Sequence, residues 1–429
     1  MLFRSRHVLK GGFRLKRKIT ITILPPVKLS APDDLDSRAR RKHIGQEVYD
    51  IMSDMMFESS NIHETLFASL ISSAKIYGMN KLIMQDIDNN SLTYRKLLMR
   101  SFILSNLIGK YSTQGERVGL MLPNMVGSAV AFFAVHAAGI IPAMINFTSG
   151  ASNIISACQT ANVKRIYTSR KFIQKAELDE IVKIIEEAGI FITYLEDFRS
   201  TLTFGIKLKG IIASFFPMSF YKATCLKKDA NAEGVILFTS GTEGKPKAVA
   251  LAHKNILANR YQIMARVDFN PYDSAFNTLP MFHTFGLTGM ILMTLGGIKS
   301  FFYPSPLHYR IIPEVIYDIG ATIMFATDTF LTGYANYAHP YDFYSLRYVF
   351  AGAEKLKQNT KDIWINKFGV RIFEGYGVTE ASPVVSVNTS MHQRAASVGR
   401  FMPKIEHALL AVEGIEEGGR LCIKGPNIM

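Results

Sequence analysis

Apolar runs and helical stretches alternate along the first half of the chain. Residues 117–122 form an apolar run that Pro123 and Asn124 end, and an apolar helical stretch separates it from a second run at 140–147. The pattern repeats at 165–169 and 190–194. Short strand-like runs with helical segments between them are typical of βαβ units. The sequence therefore predicts an α/β fold built on mainly parallel sheets.

Two longer apolar stretches raise the question of a membrane span. Residues 125–147 contain no Asp, Glu, Lys or Arg, and residues 286–303 contain only Lys299. A span needs about 20 predominantly apolar residues in one helix, but Gly139 divides the first stretch into a helix-like half and a strand-like half. A buried helix followed by a parallel core strand gives the same composition. We favour this interpretation.

The pattern divides the chain into three segments. Residues 1–45 are basic and strand-like, with an alternating strand at 19–24, and are interpreted as the tail of an upstream unit plus a linker, or as a solvated arm. Residues 46–228 are predicted to form a first α/β subdomain, and residues 229–429 a second one. Residues 204–228 mix four aromatic residues with five lysines downstream of Phe204. That composition is typical of a segment that lies on a membrane surface, of one that docks an acidic partner, or of an ordinary covering helix or loop.

Composition and charge narrow the class of partner. The 429 residues are 48% hydrophobic and 20% charged, with a formal net charge of +14, so the chain is globular and suits anionic partners. No zinc-finger, RNP-type or helix-turn-helix pattern accompanies the charge, and nucleic acid is not expected as a partner. Three dispersed cysteines indicate a reduced, cytosolic-facing protein without structural zinc.

A loop of hydroxyls, glycines and lysines carries the strongest chemical signal. It is Thr239-Ser-Gly-Thr-Glu-Gly-Lys-Pro-Lys247, directly behind the apolar strand at 234–238. Glycines let the backbone approach an anion, N–H groups face it and lysines supply positive charge, which is the chemistry of phosphate binding. The glycine spacing is not that of a Walker A loop. Taken alone, the loop could be an ordinary solvated turn.

Three later segments favour a nucleotide over a plain turn. Pro280-Met-Phe-His-Thr-Phe-Gly286 places a histidine among apolar residues, and Ala351-Gly-Ala-Glu-Lys-Leu356 places small residues after a strand, where a planar base could rest. Glu374-Gly-Tyr-Gly-Val-Thr-Glu380 combines an aromatic ring, a hydroxyl and a carboxylate. Tyr376 could stack on adenine, Thr379 could bind phosphate, and Glu380 could hold the Mg²⁺ that accompanies ATP. Each segment alone is a weak indication of a nucleotide site, whereas their joint occurrence in this order is a strong one.

In this order, the segments resemble those of the acyl-adenylate-forming superfamily. The resemblance implies a large N-terminal domain of two αβα-type subdomains plus a partial β-barrel that begins near the end of the chain. It implies ATP and Mg²⁺ as cofactors, with ATP-dependent activation of a fatty acid to acyl-AMP and transfer to the thiol of acyl carrier protein or CoA. The chain ends before the hinge aspartate and small C-terminal lid domain of that family, whose lysine stabilises the transition state, so adenylation is expected to be impaired.

The resemblance also implies a role for each site residue. Catalytic roles fall on Thr242, Lys247 and Glu380, with Thr242 and Glu380 as the Mg²⁺ ligands. His283, Phe285, Leu287 and Met290 would border the fatty acid. The nucleotide-binding residues would be Thr239, Ser240, Gly241, Thr242, Glu243, Gly244, Lys245, Lys247, Gly352, Ala353, Glu354, Tyr376, Gly377 and Thr379.

Within the superfamily, the chain is similar to the synthetase half of the bifunctional bacterial 2-acylglycerophosphoethanolamine acyltransferase/acyl-[acyl-carrier-protein] synthetases. That similarity implies phospholipid reacylation at the cytoplasmic face of the inner membrane, and makes residues 1–45 the end of an acyltransferase-like unit. The H-x-x-x-x-D pair of the acyltransferase half is not found, so acyl transfer to a lysolipid would need another protein. Two alternatives remain open: an inactive or split-gene fragment that binds ATP or an acyl chain without turnover and would need a separate lid domain, and a membrane-associated partner of a separate acyltransferase.

Overall fold

The computed structural model describes residues 21–225, 229–240 and 245–429, with Ser240 described by its backbone alone. These residues fall into two units, one that ends at Ser60 and one that runs from Asn61 to Met429.

The first unit is organised around one long helix in its described part, α1 (Ser37–Glu58). Asp36 caps this helix, because its Oδ1 accepts hydrogen bonds from the backbone N–H groups of Arg38 and Ala39 at 2.8 and 2.7 Å. The strand predicted at 19–24 is wrong for residues 21–24, which pair with no described strand. Alternation alone does not make a strand where a pairing partner is lacking. The end of the basic segment, from residue 37 on, is helical and not extended.

The described part of the second unit contains thirteen α-helices. They are α2 (Leu66–Tyr77), α3 (Tyr94–Ile108), α4 (Val126–Ala137), α5 (Ala151–Thr160), α6 (Arg170–Lys175), α7 (Asp179–Glu187), α8 (Phe204–Phe215), α9 (Pro217–Thr224), α10 (His253–Arg266), α11 (Thr284–Leu295), α12 (Ile311–Asp318), α13 (Asp328–Tyr337) and α14 (Gln358–Phe368). The described part of this unit also has two 3₁₀ turns, Leu195–Arg199 after β6 and Thr379–Ala381 between β13 and β14.

Strands of the second unit are mostly four or five residues long. They are β1 (Leu82–Asp86), β2 (Ser91–Thr93), β3 (Arg117–Leu120), β4 (Ile141–Met144), β5 (Arg165–Thr168), β6 (Phe191–Tyr194), β7 (Glu233–Ser240), β8 (Pro246–Ala252), β9 (Ser274–Asn277), β10 (Lys299–Phe302), β11 (Ile323–Ala326), β12 (Tyr348–Ala351), β13 (Ile372–Gly377), β14 (Val384–Val387), β15 (Arg400–Phe401), β16 (Glu406–Leu410) and β17 (Arg420–Lys424).

The four apolar runs of the first half form neighbouring strands of one sheet. Its order is β6-β5-β3-β4-β7-β8, and every pair is parallel except the last, β7 with β8. The α/β alternation predicted from the sequence is therefore confirmed. Sheet membership does not follow the chain strictly, because β7 and β8 join this sheet whereas β1 and β2 join the other. The boundary placed at residue 229 stays a prediction.

The second sheet has nine strands in the order β15-β14-β13-β12-β11-β9-β10-β1-β2. Its six strands from β13 to β1 are mutually parallel, so their carboxyl ends meet at one edge. Antiparallel β14 and β15 extend the sheet beyond β13, and β16 and β17 form a separate antiparallel pair. The carboxyl edge of an open parallel sheet is where such folds bind ligands.

Both long apolar stretches are buried helix–strand pairs, as favoured from the sequence. Residues 125–147 contain α4 and β4, and the side chains of α4 are buried almost throughout. Residues 286–303 contain most of α11 and then β10. Among the helices that the structure describes, none combines the length and the apolar composition that a bilayer crossing requires.

Two buried histidines give a prediction for the acid stability of this fold. The rings of His136 and His253 lie 5.3 Å apart, and Nδ1 of His253 accepts a hydrogen bond from the Leu66 N–H. Burial lowers the pKa of His253 to about 4, with Asp229 opposing the shift, and it holds the pKa of His136 well below the usual value. Both rings are therefore neutral in the folded protein and take up protons in the unfolded chain once the pH falls below about 6.5.

The free energy of unfolding is expected to fall as the pH is lowered from 6.5 towards 4, by up to about 1.4 kcal/mol per pH unit for each histidine. Urea unfolding across this range measures the slope. The His136→Phe variant should show a shallower slope than the unaltered protein, because it removes one of the two groups that take up a proton on unfolding. Phenylalanine should fit the site, because Nε2 of His136 has no hydrogen-bond partner among the described residues and the ring already packs on Phe132. Equal slopes in the two proteins would contradict the assignment.

Candidate active site

A cavity of about 420 Å³ lies at the carboxyl edge of the nine-stranded sheet. Its walls include Leu279 and Pro280 after β9, Thr327 after β11, and Gly352 with Ala353 after β12. The parallel strands bring these segments together although they are far apart in the sequence. The cavity therefore occupies the place where this type of sheet binds ligands.

Most of the cavity wall is apolar. None of its lining residues, within the part of the chain that the structure describes, is Asp, Glu, Lys or Arg. The aliphatic and aromatic side chains come from α10, α11, β11, β12 and β14 and from the segments beside them: Ile263, Val267, Phe269, Leu279, Leu292, Phe325, Phe330, Phe350, Val384 and Val387. A wall of this kind favours an apolar ligand and disfavours a charged group on the part of the ligand that contacts the wall.

The predicted tyrosine–threonine segment forms the polar wall of the cavity. Tyr376, Gly377 and Thr379 line it, and Tyr376 is partly exposed. Oγ1 of Thr284 donates a hydrogen bond of 3.0 Å to Oγ1 of Thr379, which ties the start of α11 to this segment. A Cβ added to Gly377 would lie 2.4 Å from the carbonyl oxygen of Pro383, so only glycine lets β13 approach β14 here.

The small residues that follow β12 also reach the cavity. Gly352 and Ala353 line the cavity, and Ala353 has a left-handed backbone with φ of 66°. Glu354 has a different partner: Oε2 of its carboxylate accepts hydrogen bonds from the N–H and Oγ1 of Thr329, at 3.0 and 2.8 Å. Its side chain thus holds the turn against the first turn of α13, and only its neighbours line the cavity.

The structure places half of the predicted acyl-contact residues at the cavity. His283 and Phe285 line it, and burial lowers the pKa of His283, which keeps the imidazole neutral near pH 7. Leu287 and Met290 do not line it, because they lie on the opposite face of α11 and belong to the core shared with α2 and α4. Residues 284, 285, 286, 288, 289 and 292 form the cavity face of this helix.

The predicted phosphate loop is the tip of a hairpin. Thr239 pairs with Lys247, and Ser240 pairs with Pro246, in the antiparallel ladder of β7 and β8. The lysine side chains at 245 and 247 are exposed. Gly241, Thr242, Glu243 and Gly244 lie outside the described residues. The loop therefore connects two strands of the first sheet.

Glu380, the described member of the predicted Mg²⁺ pair, lies in the turn Thr379–Ala381 with an exposed side chain. Thr242, the other member, is outside the described residues. The described part of the chain has no group of three or more His, Cys, Asp or Glu that could hold a metal. A single carboxylate still fits Mg²⁺, which proteins commonly bind through one or two carboxylates plus the phosphates of the substrate.

A comparison with protein families identifies the fold that carries this cavity. The model of the family described as "AMP-binding enzyme" matches residues 72–429, which is most of the chain. The chain belongs to the AMP-binding enzyme family. The acyl-adenylate-forming superfamily that the sequence motifs resemble is thereby confirmed.

Curated relatives of this AMP-binding chain include bacterial ligases. The long-chain-fatty-acid–CoA ligase of Salmonella typhimurium (strain LT2) is 27% identical over 378 residues, which cover 79% of this chain and 65% of the relative. The enzyme of the same name from Yersinia pestis is 25% identical over 382 residues, with the same two shares. The chain thus spans about two thirds, 65%, of the length of these relatives.

Solved structures share the fold at lower identity. The anthranilate CoA ligase AuaEII, in complex with anthranoyl-AMP, superposes with a TM-score of 0.71 and 18% identity, covering 87% of this chain and 71% of that one. ATP-bound MatB from Rhodopseudomonas palustris gives a TM-score of 0.70 and 23% identity, covering 86% and 71%. The α/β architecture predicted from the sequence is therefore shared with these solved structures.

Sequence reasoning missed the amides that position Glu380. Asn427 is fully buried; its Nδ2 donates to the carbonyl of Ala381 at 2.7 Å, and its Oδ1 accepts from Nε2 of Gln262 at 3.1 Å. The backbone N–H of Met429 donates to the carbonyl of Glu380 at 3.0 Å. Single amides far apart in the sequence give no periodic signal, so the sequence alone offered no means of finding them.

Replacing Asn427 by alanine is expected to lower the free energy of unfolding by about 1–3 kcal/mol, because the Ala381 carbonyl loses the bond from Asn427 and Nε2 of Gln262 is left with its bond to the Pro403 carbonyl. Urea unfolding measures the change. The matched control is Asn153→Ala at an exposed position of α5. Among the described residues, the Asn153 side chain bonds only to the Ser149 carbonyl, and a change within about 0.5 kcal/mol is expected. Equal effects in the two variants would show that the buried amide does not fix the turn.

Proposed function

We propose that the chain carries the adenylation site of an ATP-dependent ligase that activates a fatty acid and transfers it to a thiol. One observation carries the proposal: the predicted adenine-side residues and an extended apolar wall line the same cavity. Membership of the AMP-binding enzyme family supports the adenylation chemistry. Relatives named as long-chain-fatty-acid–CoA ligases support a fatty acid as the substrate. A wall without charged residues suits an alkyl chain better than an amino acid or a dicarboxylate.

In the proposed reaction, an oxygen of the fatty carboxylate attacks the α-phosphorus of ATP, and pyrophosphate leaves to give acyl-AMP. A thiolate then attacks the acyl carbonyl, a thioester forms, and AMP leaves. Gly352, Ala353 and Tyr376 would hold the adenine, with the exposed ring of Tyr376 as the stacking surface. His283, whose lowered pKa keeps it neutral, would separate the phosphates from the acyl chain without adding a charge.

The hairpin tip would bind the departing phosphates through its backbone and the hydroxyls of Thr239, Ser240 and Thr242, with Lys245 and Lys247 supplying positive charge. Mg²⁺, held by Glu380 and Thr242, would neutralise charge on the phosphates. The absence of a side chain at Gly352, which lines the cavity after β12, supports a nucleotide at this wall.

For the acceptor, we propose the pantetheine thiol of an acyl carrier protein, with CoA as the competing choice. The net charge of +14 suits an acidic carrier protein, whereas the relatives are named CoA ligases. Phospholipid reacylation at the cytoplasmic face of a bacterial inner membrane would then require a separate acyltransferase. Single-turnover transfer from preformed acyl-AMP to each thiol, compared at equal concentration, separates the two acceptors.

The experiment that tests the proposal is fatty-acid-dependent ATP–pyrophosphate exchange by the purified chain with Mg²⁺. Exchange above a fatty-acid-free control would establish adenylation. ATP binding by calorimetry without exchange would contradict turnover and favour the alternative of a nucleotide-binding fragment that acts with a separate lid domain. Absence of both ATP binding and exchange would overturn the site itself, and would leave a role as partner of an acyltransferase.

A further inference from the structure

Helix α8 carries a stripe of large apolar side chains that faces away from the protein. Phe204, Leu208, Ile211, Ile212 and Phe215 are between 43% and 79% exposed. At about 100° per residue, all five fall within an arc of about 100° on one face of the helix. Phe216, at the end of the helix, is also exposed. A contiguous apolar patch of this kind marks an interaction surface.

The orientation of the stripe is fixed by packing on α3. Gly210, Ala213 and Ser214 are buried on the opposite face of α8. A Cβ added at Gly210 would lie 2.3 Å from Cγ1 of Ile103, so the two helices touch as closely as glycine allows. The helix cannot roll its apolar face inward without losing this contact. The stripe is therefore a permanent part of the surface of the unit.

The charged side chains on α8 and on the neighbouring helices α3 and α9 are all positive. Lys207 and Lys209 project on opposite sides of the apolar arc, and the guanidinium of Arg95 lies 4.5 Å from the centre of the Phe215 ring. Helix α3 adds Lys96 and Arg100 on exposed positions, and neither α3, α8 nor α9 contains an Asp or Glu. An anionic surface is the complement of this pattern.

We propose that α8 docks the protein on the surface of an anionic phospholipid bilayer, lying in the plane of the interface. Its apolar stripe enters the boundary between head groups and acyl chains to a depth of about 5–10 Å. Lys207 and Lys209 extend from either side to the lipid phosphates, as long basic side chains do at interfaces. The dominance of phenylalanine, isoleucine and leucine favours a lipid surface over an acidic protein, whose contacts would rely more on hydrogen bonds.

This proposal does not depend on the proposed function. Helix α8 contributes no residue to the cavity, so exchange activity and membrane docking can succeed or fail separately. The variants used to test docking should leave ATP–pyrophosphate exchange unchanged.

Flotation of the purified chain with vesicles tests the docking surface. Vesicles of phosphatidylethanolamine and phosphatidylglycerol should bind the chain, and vesicles of phosphatidylcholine should bind it at least about tenfold more weakly. The Ile211→Asp/Ile212→Asp variant should reduce partition into the anionic vesicles at least about tenfold. The matched control is Ile184→Asp/Ile365→Asp, which makes the same change at two exposed helix positions elsewhere and should float as the unaltered chain does.

Substitution of the two flanking lysines tests the electrostatic part of the proposal independently. Lys207→Gln/Lys209→Gln should lose about tenfold in binding to anionic vesicles and little on neutral ones, whereas Lys175→Gln/Lys183→Gln should lose nothing. The proposal is overturned if the unaltered chain does not float, or if the aspartate variant floats equally well. It is also overturned if the Ile211→Asp/Ile212→Asp variant instead loses binding to an acidic carrier protein, or if it changes a dimer to a monomer in sedimentation. The stripe would then be a protein interface.

Discussion

Replacing Glu380 by alanine is expected to lower fatty-acid-dependent ATP–pyrophosphate exchange by about 10²–10³-fold. The carboxylate is exposed and directly follows Thr379, which lines the cavity. Hard cations prefer such oxygen ligands, and a misplaced Mg²⁺ would leave charge on the phosphates uncompensated in the transition state. Exchange should be assayed over a Mg²⁺ titration, in which the residual activity of the variant should also require a higher concentration of the ion.

The fold is expected to survive this change, because the bond from the Met429 N–H goes to the backbone carbonyl of Glu380, which alanine retains. Glu413→Ala is the matched control, since it removes an exposed carboxylate remote in sequence from every predicted site segment. Glu380→Asp, which keeps a shorter carboxylate, should recover part of the exchange. If Glu380→Ala and the unaltered chain exchange equally, the carboxylate is not the Mg²⁺ ligand.

The parallel sheets could be predicted from sequence because buried parallel strands are apolar on both faces and therefore visible as continuous runs. β3, β4, β5 and β6 fall inside the four runs, with boundaries that differ by at most three residues. The exposed strand at 19–24 was predicted from alternation alone, a pattern that describes one buried face and says nothing about a pairing partner. Its described part forms no strand.

The cavity could be predicted only in part, for a reason that α11 makes clear. This helix is apolar on nearly every side, so its sequence does not show which face meets the core and which meets the cavity. Phe285 lies on the cavity face, whereas Leu287, two residues further on, is turned about 200° away from it. The walls from α10 and β14, among them Ile263 and Val387, lie outside the motifs, and only the fold brings them to the site.

Placing a leucine at Gly289 is expected to lower the ratio of kcat/KM for hexadecanoate over hexanoate by about 10²-fold. Gly289 lines the cavity on α11, and a Cβ added there would lie 3.3 Å from the Phe325 ring. A leucine therefore projects into the apolar space between the helix and β11. A long alkyl chain loses several methylene contacts, whereas a short chain does not reach the obstruction. The prediction rests on the proposed function and is measured by exchange with the two acids.

The substitution should not unfold the protein, because leucine favours a helix interior over glycine by close to 1 kcal/mol, which offsets part of the crowding against Phe325. Gly127→Leu on α4 is the matched control: a Cβ there meets nothing within 4 Å, and the ratio for the two acids should stay unchanged. An equal loss for both acids in Gly289→Leu would point to a distorted site. An unchanged ratio would mean that the acyl chain lies elsewhere, and that the apolar wall serves another part of the substrate.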